Sequence, residues 1–175
     1  MPDERRYAVR SLRVDDADSA AQAHVQVWRE TYADDMSPEY LAGLDPQNSA
    51  RRWRLRAEVE DLEALCFVAV DGDGDGGEVV GMAAAGATRD QDAPTSWELY
   101  SINTLARVHG SGMADDLLAA VVGARDASLW VLTTNARAQG FYTRHGFVVD
   151  GARKPHPETG AEEIRMVRRG HALPA

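Results

Sequence analysis

Along the chain, apolar and polar positions change their spacing several times, and each change marks an element. The pattern predicts a strand over residues 7–13 and then a helix, capped by an aspartate, over about 16–32. Ser37-Pro38-Glu39 marks the start of a short helix. Asp45-Pro46, a cap followed by proline at the first helical position, starts another that reaches about residue 61. The runs 65–70 and 78–88 form a hairpin across Asp71-Gly72-Asp73-Gly74-Asp75-Gly76-Gly77, and 96–105 adds the third strand of an antiparallel meander. Beyond a glycine turn, Met113, Leu117 and Val121 recur at spacing four beside Ala114, Leu118 and Val122, so 113–123 reads as a helix and 129–133 as a buried strand. Strand, helix, strand in this order implies a parallel crossover. A helix over 135–145 ends at Gly146, placed for a left-handed cap, and strands over 147–151 and 162–168 close the chain. The order β-α-α-β-β-β-α-β-α-β-β predicts an α+β fold on a mixed, mostly antiparallel sheet of about seven strands. With no internal repeat and no long linker, a single domain over 1–175 is expected, its core over about 7–169 and the polar loop 153–160 a connection inside it.

Composition narrows the function classes. A chain of 175 residues buries a core that needs neither disulfide nor metal. The single cysteine, Cys66, lies in the apolar run Ala64-Leu65-Cys66-Phe67-Val68-Ala69-Val70, which reads as a small buried strand residue in a reducing compartment. The first residues lack an apolar signal core and no apolar stretch is long enough to span a bilayer, so a cytoplasmic protein without a membrane partner is expected. Nineteen Lys and Arg against 28 Asp and Glu give a net charge of −9, and no basic stripe marks a nucleic-acid footprint. The nearest candidate, Arg51-Arg52-Trp53-Arg54-Leu55-Arg56, reads as the solvated face of an amphipathic helix. A field of this sign weakly favours cationic substrates.

The candidate chemistry centres on His109-Gly110-Ser111-Gly112-Met113-Ala114, which follows a strand and opens a helix. Two glycines let the backbone approach a ligand, and the helix N-terminus adds free N–H groups and partial positive charge, which suit a pyrophosphate. A nucleotide triphosphatase turn would end in Gly-Lys-Ser/Thr, and no lysine is present here. A dinucleotide fingerprint would need a third glycine where Asp115 stands, in the first strand–helix unit of a doubly wound sheet. Asp71, Asp73, Asp75 and Gly76 imitate part of a calcium loop, but Met82 stands where the bidentate glutamate belongs. His24, His109, His145, His156 and His171 have no ligand spacing, so no metal site is expected.

The remaining reading of the turn is a seat for coenzyme A, and the chain resembles the GNAT superfamily of N-acetyltransferases over nearly its whole length in element order. The family's turn is Arg/Gln-x-x-Gly-x-Gly/Ala, and His109, Gly112 and Ala114 occupy the defining places, His109 being a departure at the first. The segment Asn135-Ala136-Arg137-Ala138-Gln139-Gly140-Phe141-Tyr142-Thr143-Arg144-His145-Gly146-Phe147 is similar to the family's Asn-x-x-Ala-x-x-Phe-Tyr-x-x-x-Gly-Phe. The resemblance implies helices on both faces of the sheet, acetyl-CoA as co-substrate, no metal, a small-molecule or peptide amine as acceptor, and a possible homodimer. It implies that the pyrophosphate rests on His109 through Ala114, and that the backbone of Ile102, Asn103 and Thr104 pairs with the pantetheine arm where the sheet opens. Asn103 and Thr104 depart from the family's commoner Tyr-Val.

The same resemblance assigns roles that the residue chemistry permits. Acetyl transfer to an amine expels a thiolate with a pKa of about 8.5, and the phenol of Tyr142 is suited to protonate it; the alternative is that Tyr142 packs an apolar helix face. Asn135 is a second cofactor candidate and is equally a good N-cap. Glu98 lies at the offset from the turn where some family members carry a general base acting through water; an alkylammonium of pKa about 10 needs such a base, while the alternative is cross-strand pairing. Tyr100 shares a strand face with Glu98, and Trp28 and Tyr32 follow each other at helical spacing, so all three are candidates to line the acceptor channel, core packing being the alternative for the helical pair. Cys66 implies no covalent acyl-enzyme. A non-catalytic module that only binds an acyl-CoA, and an acyltransferase using another acyl-CoA, stay open.

Overall fold

The computed structural model describes residues 7–34, 36–58, 64–72, 76–157 and 159–170. Among them the elements run β1 (Tyr7–Ser11), α1 (Ala17–Thr31), α2 (Pro38–Ala42), α3 (Pro46–Glu58), β2 (Ala64–Asp71), β3 (Val79–Ala87), β4 (Trp97–Thr104), α4 (Met113–Val121), β5 (Ala127–Leu132), α5 (Ala136–Arg144), β6 (Val148–Pro155) and β7 (Glu162–Arg168). The strands form one sheet in the order β1-β2-β3-β4-β5-β7-β6. β4 and β5 are parallel, whereas β1–β2, β5–β7 and β6–β7 are antiparallel. This is the α+β fold with a seven-stranded, mostly antiparallel sheet that the element order predicts. Contacts group the chain into two compact units, one of residues 1–84 and 101–121, the other of 85–100 and 122–175, so β3 and β4 each contribute to both.

In the first unit the buried face of α1 is made of Ala17, Ala20, Ala21, Val25 and Val27, and α1 packs against α3, whose Trp53 is buried. Ser37 caps α2 by accepting the Tyr40 N–H, and Asp45 accepts the Gln47 N–H ahead of Pro46, as the two start signals predict. The predicted aspartate cap of α1 needs correcting. The Asp16 side chain makes no cap bond into α1; it accepts two N–H groups of Arg10 at 2.6 and 2.8 Å and the backbone N–H of Arg13 at 2.7 Å. Burial alone would raise its carboxyl, but the Arg10 and Arg13 bonds outweigh that and hold it below the usual carboxylate range. β1 ends at Ser11, because a short 3-10 turn at Val14–Asp16 takes over. Cys66 is half-buried, and burial pushes its thiol up, with Arg56 opposing the shift only in part. The tip of the β2–β3 hairpin, with Asp73 and Asp75 of the imitated calcium loop, lies outside the described residues, as do the last predicted residues of α3 and His171.

In the second unit Leu99, Leu129, Val131, Tyr142, Phe147, Ile164 and Met166 are buried. α5 ends in a Schellman pattern: the N–H of Gly146 bonds to the Thr143 carbonyl, that of Phe147 bonds to the Tyr142 carbonyl, and Gly146 sits at φ +83 as its glycine predicts. β6 runs longer than expected, through Pro155, so residues 153–155 belong to a strand and not to the predicted loop. The pairing shifts register between Val149 and Arg153, where Gly151 turns at φ +94 and the Ala152 N–H bonds to the Asp150 carboxylate. That bulge interrupts the alternation a sequence pattern relies on and hides the second half of the strand.

Candidate active site

The turn between β4 and α4 belongs to the first unit. Gly110 and Gly112 sit at φ +82 and +83, a backbone region closed to most side chains, which bends the chain sharply ahead of α4. The His109 N–H bonds to Ala106, the Ser111 N–H to Val108, and the Met113 N–H to the Ser111 hydroxyl. Among the described residues, the N–H groups of Gly110, Gly112 and Ala114 make no such bond, so three donors stand ready at the head of a helix. The His109 ring lies 3.2 Å from the Thr104 carbonyl, which ties the turn to the end of β4. Tyr7 donates to the carboxylate of Asp116, in the first turn of α4, at 2.8 Å. Close packing seats the helix: a Cβ on Gly81 of β3 would lie 2.9 Å from the Met113 sulfur and 3.1 Å from Leu117. Ile102, Asn103 and Thr104 are half-buried, and the following Leu105 N–H bonds to Val80.

Glu98 belongs to the second unit and is almost fully buried, its side chain 2% exposed. One oxygen takes the Arg89 guanidinium at 2.6 and 3.2 Å, and the other takes the Arg89 backbone N–H at 2.9 Å. The same guanidinium lies 4.3 Å over the Tyr100 ring, whose hydroxyl donates to the Ala87 carbonyl. Both candidates therefore share one arginine, 63% exposed, which the sequence reading did not single out. β4 pairs with β5 through Glu98↔Ser128 and Leu99↔Leu129, at the beginning of both strands.

Tyr142 is buried on α5, its ring edge-on to Phe141 at 5.4 Å and to Phe147 at 5.9 Å. Asn135 caps that helix by accepting the Ala138 N–H at 3.0 Å. On α1, Trp28 and Tyr32 stack edge-on at 5.0 Å, with His24 and Tyr40 also against Trp28, so the helical pair forms an aromatic cluster of the first unit. Among the described residues no group of three His, Cys, Asp or Glu is arranged to hold a metal ion.

The second unit also carries a charged face that the motifs did not reveal. Register places Arg165 of β7 opposite Trp130 of β5, and Glu163 opposite both Leu132 of β5 and Lys154 of β6. Arg165, 7% exposed, bonds to Asp150 at 2.7 Å and Asp92 at 3.2 Å. The Trp130 indole donates to Asp90 at 2.5 Å, and Lys154 lies 3.4 Å from Asp90 and 4.0 Å over the indole ring. The available signal is the Glu163-Ile164-Arg165-Met166 alternation, two charges at strand spacing in a segment otherwise apolar.

Known proteins agree with this architecture. Residues 63–149 match the family model described as an acetyltransferase (GNAT) domain. An uncharacterized N-acetyltransferase, YuaI, of Bacillus subtilis (strain 168) is 32% identical over 111 residues, 63% of this chain and 60% of that protein, so the match spans less than two thirds of the relative. Among solved structures, the PaiA N-acetyltransferase of Thermoplasma acidophilum, in complex with coenzyme A, superposes with a TM-score of 0.67 at 16% identity over 93% of this chain and 98% of that one. The ribosomal-protein-S5-alanine acetyltransferase of Vibrio fischeri gives 0.66 at 16% identity over 99% and 98%. The fold, with its seven-stranded sheet and parallel β4–β5 pair, is the one these solved structures share. Over residues 63–149 the chain is similar in sequence to the GNAT acetyltransferase domain, and its fold is that of the solved GNAT structures.

Proposed function

We propose that the protein is an acetyl-CoA-dependent N-acetyltransferase that moves the acetyl group directly to a primary amine of a small molecule or peptide in a reducing, cytoplasmic compartment. The observation that carries this reading is the set of three open N–H donors at Gly110, Gly112 and Ala114, held by two left-handed glycines at a helix start in a chain with this similarity. They suit the pyrophosphate of coenzyme A, and the backbone of Ile102, Asn103 and Thr104 suits the amides of its pantetheine arm. The residues fit such a group: the turn needs no side chain, so His109 at the family's Arg/Gln place does not weaken it. Among the described residues no helix is long and apolar enough to cross a membrane.

The bound thioester would supply the acetyl group and the leaving thiolate. Tyr142 is the general acid of this reading, and its packing between Phe141 and Phe147 fixes the ring. Glu98 is the base, acting through water, and Arg89 must release one carboxylate oxygen for that role. Asn135 holds the start of the Tyr142 helix, and a cofactor contact there is compatible with its capping bond. Half-buried Cys66, its thiol pushed up by burial, is not a nucleophile of this reaction.

Thermal shift with acetyl-CoA, CoA and NAD side by side tests the cradle. Ligand at about 100 times its Kd adds about 2.7 kcal/mol, a rise of roughly 5 to 10 °C at this chain length. A rise with both CoA species and none with NAD is expected, and no rise with either CoA species at millimolar concentration refutes the reading. For the acid, Tyr142→Phe is expected to lower kcat about 100-fold while the Kd for acetyl-CoA stays nearly constant. An unchanged kcat removes Tyr142 from the chemistry and favours packing as its role.

A further inference from the structure

On the charged face of the second unit nearly every ionic group has a bonded partner. Arg165 has Asp150 and Asp92, Lys154 has Asp90, and Glu98 has Arg89. Glu163 does not follow this rule. It is 9% exposed, yet among the described residues its carboxylate accepts no hydrogen bond. Its cross-strand neighbour Lys154 turns to Asp90 and the Trp130 ring instead. The carboxylate keeps a narrow access to solvent, and a charged donor entering there would give it the direct partner that its neighbours on this face already have. Burial raises its pKa, and Asp90 adds to that, while His156, Lys154 and Arg89 oppose the shift through space.

The face also carries an excess of negative charge. Glu98, Asp90, Asp92, Asp150 and Glu163 are five carboxylates against the three cations Arg89, Lys154 and Arg165. Glu163 lies on the same sheet face as Trp130 and Arg165, and the β4–β5 register puts Glu98 and Ser128 on that face as well. A group that completes Glu163 is therefore a hydrogen-bond donor carrying positive charge, and the Trp130 ring beside it already accommodates cations.

We propose that Glu163 selects the acceptor: its carboxylate receives the ammonium group of a primary amine on the face it shares with Glu98 and Trp130. The inference rests on the acetyltransferase reading and adds the residue that reads the acceptor's charge. An acyl-CoA-only module has no use for such a group.

The test compares wild type with Glu163→Gln, using acetyl-CoA and three amines: 1,4-diaminobutane, 2-phenylethylamine and Nα-acetyl-lysine amide. The KM of each amine turned over is expected to rise at least about tenfold, the weight of one hydrogen bond to a charged group, with kcat and the KM for acetyl-CoA little changed. Glu163→Asp should recover part of the loss. Folding is checked separately: removing a buried charge without a donor should leave Tm at pH 7 equal or higher. Because the folded carboxyl is raised, its penalty grows as pH rises from the ordinary 4.5 through the folded value, so the advantage of Gln should shrink as pH falls toward 4.5. An unchanged amine KM overturns the proposal. If wild type turns over none of the amines, their thermal shifts on the protein decide: a rise in wild type that Glu163→Gln abolishes supports the anchor, and no rise in wild type overturns it. Failure of the CoA shift refutes the acetyltransferase reading instead, so the two failures are distinguishable.

Discussion

In the turn at Gly110 to Ala114 the groups offered to a ligand are backbone donors from one short stretch of chain. On the face around Trp130 they are side chains from four segments, the loop after β3 and strands β5, β6 and β7. The turn needs only a backbone geometry, so it tolerates a histidine where the family places Arg or Gln. The charged face needs each partner, because a buried cation that loses its carboxylates has no water to replace them. One region is robust to side-chain identity and strict about glycine; the other reverses both.

The sharpest way to break that contrast is Arg165→Met. It removes the cation, 7% exposed, that holds Asp150 and Asp92 to β7; the carboxylates left behind are 22% and 80% exposed and regain water, so the expected loss is about 1.5 kcal/mol. Denaturant unfolding reads it, and a loss below about 1 kcal/mol would place the network among weak surface pairs. The turn should answer differently. Gly112→Ala has space, since the nearest atom to a new Cβ is the Tyr7 hydroxyl at 3.8 Å, but it forces alanine into left-handed backbone. The expected stability cost is about 1 kcal/mol, with a clear weakening of CoA binding by calorimetry. His109→Ala, which removes only a side chain, should leave that Kd within about twofold. If the two turn variants bind CoA equally well, the seat is not made by the backbone.

The same contrast explains how much the sequence revealed. The Asn135 cap, Gly146, the glycine turn and the strand–helix–strand crossover are each coded within a few residues, and the structure places every one of them as expected. The Asp16 cap failed because Arg10, six residues back, competes for the same carboxylate and wins. Residues 153–155 escaped because the bulge at Gly151 re-aims the chain. Glu98 was visible as a strand glutamate, while Arg89 was not, since the side chain that clamps a residue is set by the fold around the β3–β4 loop. Glu163 and Arg165 were hidden for the strongest reason: their meaning depends on β7 inserting between β5 and β6, a pairing with no local signature.

Cys66 has a practical corollary. The chain carries one sulfhydryl, and that group is half-covered, with burial pushing its pKa up. Colorimetric disulfide reagents capture the deprotonated form, so the polypeptide itself should react more slowly than a free thiol over the course of a turnover assay. Colour development would then report released coenzyme above a slower background, and acceptor screening could proceed on the unmodified wild-type chain.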